Sequence, residues 1–349
     1  MAFSASYKEY TLKFKFVAET SRGVLLNKKV YFLILKLDNV VGIGECSTIP
    51  GLSIDDRDDY SEKIRSICEE INQGVDFREL DLIEFPSISF GLETALLDIK
   101  SQSSKVFFPG SFTEGLQGIH INGLVWMGDK KFMEKQIRDK IDGGYHCIKL
   151  KIGANDFHTE LEILRNIREN YSLSDLEIRL DANGAFSVKE SIEKLKRLSK
   201  FGIHSIEQPI KAGQWLDMAA ICSLSPMPVA LDEELIGINS DEKKDQLLTV
   251  IQPDYIILKP GMLGGIEKAQ NWIELAKKHQ IGWWVTSALE SNIGLNAIAQ
   301  WTASLNTNLP QGLGTGQLYN NNIPSPLIIR NNFLFYDPSL KWDVTDITS

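Results

Sequence analysis

The sequence predicts a parallel α/β barrel with a second, α+β unit at its N-terminal end. Three observations point there. The chain has 349 residues, and a barrel of this class takes about 250, which leaves roughly 100 for another unit. Strand patterns followed by helical patterns fill the sequence up to Lys100, the order of an α+β unit. From Gly118 onward, strand, turn and helix alternate, as βα units do around a parallel sheet.

The elements follow in order. Tyr10–Phe16 alternates polar and apolar, Val30–Leu37 is β-branched and aromatic, and Val40–Glu45 ends at a turn-rich stretch, Ser47–Ser53. From Asp55 to about Lys100 the pattern is helical, with Ile64, Ile67, Cys68 and Ile71 three and four residues apart. Ser101–Gly118, rich in Ser, Gly and Phe, reads as a linker. Barrel strands are predicted at Ile119–Trp126, Cys147–Ile152, Leu176–Leu180, Ser205–Ile206, Val229–Leu231, Tyr255–Leu258, Gly282–Thr286 and near Gly312. Helical stretches separate them, among them Lys131–Ile141, Glu160–Glu169, Lys189–Lys200 and Glu267–Lys278. The final stretch, 318–349, lacks an eighth helix and is expected to return to the N-terminal unit. The predicted boundaries are 1–115 for that unit and 116–317 for the barrel.

Composition narrows the function. Hydrophobic residues at 43% and charged residues at 24% match ordinary globular proteins and exclude disorder, collagen and coiled coil. A net charge of −9 gives no long-range pull toward polyanions, so neither nucleic acid nor an anionic membrane is expected as a partner. No apolar run is long enough to span a bilayer. The N-terminus has no apolar core of signal-peptide length, and the four cysteines (46, 68, 147, 222) form no CxxC pair. Both readings suit a cytoplasmic protein with reduced thiols.

Polar residues with chemistry recur at the strand ends. Lys149 and Lys151 stand in CIKLKIG, Asp181 in IRLDAN, Glu207 in SIEQPI, Asp232 in VALDEE and Lys259 in IILKPG. From Lys151 the steps are 30, 26, 25 and 27 residues, one βα unit each, which puts these side chains at one height around the barrel's C-terminal face. Alternation turns Lys149, Lys151, Arg179, Asp181, Asp232 and Lys259 inward, because their apolar neighbours must pack under helices. Asp232 is thereby chosen over Glu233. Three carboxylates at one mouth need a compensating charge. Oxygen ligands without His or Cys suit a hard cation, Mg²⁺ above all, with Mn²⁺ as a substitute. An ammonium beside a second ammonium and a metal loses its proton more readily. Lys151 is thus predicted to be a general base and Lys149 the group that tunes it. The expected chemistry is abstraction of a proton α to a carboxylate through an enediolate.

Each residue alone has a plainer reading. A KxK pair is usually a solvated strand edge, an Asp after a strand is commonly a helix N-cap, and Glu207 and Lys259 both precede prolines that make turns. Their recurrence at one-unit spacing favours the joint reading. For Glu177 and Arg179, lower on the same inward face, a structural ion pair is expected.

KLK, LDANGAF, IEQP, LDE and LKPG, in this order, resemble the enolase superfamily and, within it, the muconate-lactonizing subgroup. TSRGVL, GIGECSTIPGLS, SFGLETALLDI, INGLVWMG and TSALESNIGLNAIAQ are most similar to the o-succinylbenzoate synthases of menaquinone biosynthesis. The resemblance covers essentially the whole chain and implies a (β/α)7β TIM-like barrel with an α+β capping domain. It implies Asp181, Glu207 and Asp232 as metal ligands, Lys151 as acid/base and Lys259 as stabiliser on the opposite face. It also implies dehydration of 2-succinyl-6-hydroxy-2,4-cyclohexadiene-1-carboxylate, a small anionic dicarboxylate, to 2-succinylbenzoate. N-succinylamino acid racemases, and other two-lysine racemases of the superfamily, share this lysine arrangement and are the alternative. Mandelate-racemase-like members use a His that WWVTSALES lacks, and dipeptide epimerases an Asp-x-Asp that QGLGTGQLY lacks. A Schiff-base aldolase would not need the carboxylates, and a binding scaffold would not need the full set.

Specificity is expected from loops at Thr20–Leu25 and Ser47–Leu52. Arg22 is read as a partner for a substrate carboxylate or a solvated loop arginine. Asn183, Ser287 and Glu290 are the other substrate-binding candidates, with Asn292 beside them. Glu290 could equally bind Lys259 or a backbone group.

Overall fold

The computed structural model describes residues 3–20 and 23–348. Three antiparallel strands open the chain in the order β1 (Phe3–Thr20), β2 (Gly23–Leu37) and β3 (Val40–Cys46). β1 and β2 pair from Phe3–Leu37 to Lys13–Asn27, then resume at Ala18–Leu25 after a register shift. Both faces of this sheet are covered. Leu33 and Leu35 pack with α1 (Tyr60–Asn72) and α2 (Pro86–Lys100), whereas Val30, Phe32 and Ile34 share a cluster with Trp126, Ile293 and Tyr319. The period of two in a strand sorts them. β3 lies so close to α2 that a Cβ on Gly44 would fall 1.8 Å from the carbonyl oxygen of Gly91, so glycine is required there. The predicted helical stretch from Asp55 is really two helices. Gly74 at φ +87 follows the first, and Pro86 opens the second at a position where its missing N–H costs nothing.

The remainder is a curled parallel sheet wrapped by helices. β4 (Ile119–His120) and β5 (Gly123–Val125) precede α3 (Lys130–Asp142). Then come β6 (Cys147–Lys151), α4 (Phe157–Asn170), β7 (Glu177–Asp181), α5 (Val188–Leu198), β8 (Ser205–Glu207) and α6 (Trp215–Leu224). β9 (Val229–Leu231), α7 (Asp241–Ile251), β10 (Tyr255–Leu258), the short α8 (Pro260–Leu263), α9 (Ile266–Lys278), β11 (Gly282–Val285) and α10 (Asn292–Ser304) complete the circuit. Strands β5 to β11 are consecutive neighbours in one sheet. Ile148, Leu150, Ile178, Leu180, Ile256 and Leu258 belong to the main core under the helices, while Ala230, Ile257 and Trp284 fill the opposite, inner side.

Two expectations change. The strand expected near Gly312 is reduced to isolated bridges, Thr286–Gly312 and Ile121–Gln311. The Gln311 amide donates to His120 and that of Gly312 to Val285, both at 2.8 Å, so two residues join the ends of the sheet. The expected strand Ile119–Trp126 is split, because β4 leaves the barrel to pair with a hairpin of β12 (Leu327–Arg330) and β13 (Phe333–Tyr336). Residues 318–321 run back along β1: the Lys15 amide donates to Leu318 and the Asn320 amide to Lys13, both at 2.9 Å. The last helix, α11 (Thr345–Thr348), buries Ile347 in the cluster between the first sheet and the barrel. Among the described residues no helix is long and apolar enough to cross a membrane.

Candidate active site at the barrel mouth

Lys151, Asp181 and Glu207 are register partners across β6, β7 and β8, so adjacent strands deliver them at one level. Asp232 and Lys259 follow the last residues of β9 and β10. Lys149, Lys151, Asp181, Asn183 and Lys259 open onto a cavity of about 1110 Å³, closed from the first sheet's side by Val24, Leu25, Ile49 and Leu52. Thus both expected loop segments reach the cavity. Arg22 lies outside the described residues.

The charges interlock. The Lys149 ammonium lies 2.9 Å from Glu207 and 3.1 Å from Asp181. That of Lys151 is 3.2 Å from Asp181 and donates to the Asn183 amide oxygen at 2.7 Å. Lys259 pairs with Asp232. All three carboxylates are essentially inaccessible. Burial disfavours the Asp181 charge, but Lys149, Lys151 and Lys259 outweigh it and hold the carboxyl below its ordinary range. Glu207 moves the other way, pushed up to about 8 by burial and by the neighbouring charges of Asp181 and Asp232. Lys149, expected to tune Lys151, is itself paired with two carboxylates. Burial opposes its charge, yet Asp181, Glu207 and Asp232 hold it above the ordinary lysine range. Among the described residues no group of three Asp, Glu, His or Cys side chains is arranged to hold a metal as it lies, because ammonium groups engage these carboxylates.

The remaining candidates divide. Asn183, read as a substrate contact, has its amide committed at both ends: it accepts from Lys151 and donates to Glu233 at 3.1 Å. It sits at φ +45 and orients Lys151. Ser287 lines the cavity and shares a 2.6 Å hydrogen bond with Thr315. Glu290 is corrected. It is fully buried outside the cavity lining, and neither carboxylate oxygen has a hydrogen-bond partner among the described residues. Its Oε1 would be 2.7 Å from a Cβ on Gly261, just past Lys259 but in the packed wall. Asn292 donates to the Ile323 carbonyl at 2.7 Å and also faces away. The parity rule that chose Asp232 over Glu233 stops at Leu231, where the chain enters a 3₁₀ turn. Both residues therefore approach the site, Glu233 through Asn183. Gln208 carries a role that the turn reading of Gln208-Pro209 missed. Its side-chain oxygen accepts from the amides of Asp232 and Glu234 at 3.1 and 3.3 Å, fixing the backbone that presents Asp232. The available signal was a glutamine between Glu and Pro; the structure holds it at φ +41.

Below the site, Arg179 donates to Glu177 at 2.8 Å and lies 4.4 Å over the Trp284 ring. This is the expected structural ion pair.

Known proteins share this sequence and fold. Residues 133–335 match the Enolase C-terminal domain-like family. The chain is 46% identical to an o-succinylbenzoate synthase from Desulfotalea psychrophila, over 94% of this chain and 98% of that one. The crystal structure of MenC from Desulfotalea psychrophila LSv54 superposes with a TM-score of 0.85 at 43% identity, covering 96% of this chain and 100% of that chain. An N-succinylamino acid racemase from Amycolatopsis sp. is 27% identical over 56% of this chain and 51% of that protein. With its curled parallel sheet, its antiparallel sheet domain and this ring of lysines and carboxylates, the chain belongs to the enolase superfamily, within the Enolase C-terminal domain-like family.

Proposed function

We propose that the chain is an o-succinylbenzoate synthase, a lyase that dehydrates 2-succinyl-6-hydroxy-2,4-cyclohexadiene-1-carboxylate in the cytoplasm. The observation that carries this reading is Lys151 and Lys259 opening on one cavity beside three buried carboxylates, in a chain alike a synthase over nearly its full length. Asp181, Glu207 and Asp232 fit a divalent cation by chemistry: all are buried oxygen donors at the ends of successive strands. Bound there, Mg²⁺ would supply charge against the substrate carboxylate. The Asn183 oxygen accepts from Lys151 at 2.7 Å and holds Nζ at the cavity, beside the Lys149 ammonium that shares Asp181 with it. Lys151 Nζ then takes the proton α to the ring carboxylate and hands it to the departing hydroxide, which leaves as water. Lys259, from the other side, faces the charge that develops on the carboxylate oxygens.

The test separates synthase from racemase. Purified protein should convert the cyclohexadiene substrate, lose activity in EDTA and regain it with Mg²⁺ or Mn²⁺. Lys151→Ala should abolish turnover. Lys259→Arg keeps a cation that does not readily exchange a proton and should retain part of the synthase activity, while any N-succinylamino acid racemisation, followed in deuterated water, vanishes. Efficient racemisation with negligible dehydration in the unmodified protein would replace this reading by the racemase.

A further inference from the structure

Of the two lysines on the β2 face that buries Val30, Phe32 and Ile34, Lys36 is exposed and Lys28 is buried. Lys28 has their parity and is 3% exposed. Its ammonium crosses to the loop after β11, where it donates to the carbonyls of Ala288 at 2.6 Å and Leu289 at 2.8 Å. The Leu289 carbonyl also accepts the Tyr319 hydroxyl at 2.7 Å. Leu289 sits at φ +63, a left-handed conformation that a bulky side chain rarely adopts unless its surroundings impose it. Leu289 and Ser287 both line the cavity, and the Leu289 amide donates to Ser287 Oγ at 3.1 Å. The next residue is the buried Glu290. Glu45 of β3 holds the start of α10, accepting from the Ser291 and Gly294 amides at 2.8 and 2.9 Å. Burial pushes the Lys28 ammonium down to about 8, against the pull of Glu290 and Glu45.

We infer that Lys28 is a positioning residue for the proposed dehydration: it fixes the left-handed Leu289 and so the Ser287–Leu289 wall of the substrate cavity. An apolar residue would suit the rest of this β2 face. It would leave the Ala288 carbonyl without this donor and two buried carboxylates without a nearby cation, which a buried loop does not tolerate cheaply. A purely packing role has no need to end on the backbone of cavity-lining Leu289 and its neighbour Ala288. The inference rests on the function proposed above for the catalytic consequence alone; the loop geometry stands apart from it.

The experiment compares Lys28→Met, which keeps length and removes the donors, with Val30→Ala, which weakens the same interface two residues away. Lys28→Met should raise KM about tenfold or more while kcat changes by less than about threefold, a loss of substrate positioning. Amide hydrogen exchange over residues 286–291 should quicken in the same variant. Val30→Ala should lower the melting temperature without either effect. If Lys28→Met fails to fold, Tyr319→Phe removes the other donor to Leu289 and should show the same KM shift and faster exchange. Unchanged KM and exchange in the folded variant, or equal effects from Val30→Ala, would overturn the assignment. The exchange arm needs no substrate, so a protein that does not dehydrate the cyclohexadiene would refute the proposed function and still decide the role of Lys28.

Discussion

Arg179 shows what a single side chain settles in this barrel. Its guanidinium is 1% exposed, donates to Glu177 and to the Pro310 carbonyl at 2.8 Å each, and stacks on Trp284. Burial disfavours the Glu177 charge, but Arg179 and His204 hold its carboxyl below the ordinary range. Arg179→Met keeps most of the volume and deletes the charge, leaving a buried carbonyl and a half-buried carboxylate without it. It should cost about 2–4 kcal/mol in urea unfolding, with little change in kcat/KM because the pair lies below the reacting groups. A loss under about 0.5 kcal/mol would mean the pair is no more than a surface bridge. Residues like this one were legible in the sequence wherever they lie inside a strand, since Lys149, Lys151, Arg179 and Asp181 follow the strict alternation of β6 and β7. Legibility ends where the strand does. Glu290 lies beyond β11 and Asn183 beyond β7, in turns with left-handed residues, and there parity carries no information about direction.

At the scale of elements, α4 ties its own start to the strand before it, β6, which carries Lys149 and Lys151. Asp156 caps the helix, and Glu160 in its first turn accepts the Gly153 amide at 2.6 Å, just past Lys151. Burial raises the Glu160 carboxyl to about 7, against the pull of hydrogen bonds from Gly153 and Asn155. A carboxyl raised in the folded state binds more protons there than in the unfolded chain. Stability therefore falls as pH climbs from the ordinary glutamate range to about 7, a penalty of roughly 3 kcal/mol fully present above it. Glu160→Gln keeps an acceptor for Gly153 and removes the penalty. It should be more stable than the parent at pH 9 and nearly equal at pH 4.5 in urea titrations. A difference independent of pH would show that the carboxylate is not the cause. α4 itself was readable, because amphipathic helices announce their period. The hairpin β12–β13 was not: its strands are four residues each, too short to show alternation, and their partner β4 lies about two hundred residues earlier.

The whole molecule is held by a chain that leaves the barrel and comes back. Without an eighth helix, residues 318–349 are expected to return, but the means of return cannot be read from sequence. It depends on single contacts such as the Lys13 amide to the Asn321 side chain at 2.7 Å, a pairing across some three hundred residues that no local pattern encodes. Its end point is Ile347, 1% exposed, in the apolar cluster shared by Leu12, Phe32, Trp126 and Leu318. Trp126 also lines the cavity at the barrel mouth, so this cluster joins the antiparallel sheet to the barrel at the wall of that cavity. Ile347→Ala should cost about 2–4 kcal/mol, as for a truncation in any tight core, and lower the melting temperature by roughly 4 °C. Scanning calorimetry should show one transition for the parent and one, displaced downward, for the variant, since loss of a shared cluster weakens both units together. Two separated transitions in the variant would show instead that the returning tail clamps together units able to unfold independently.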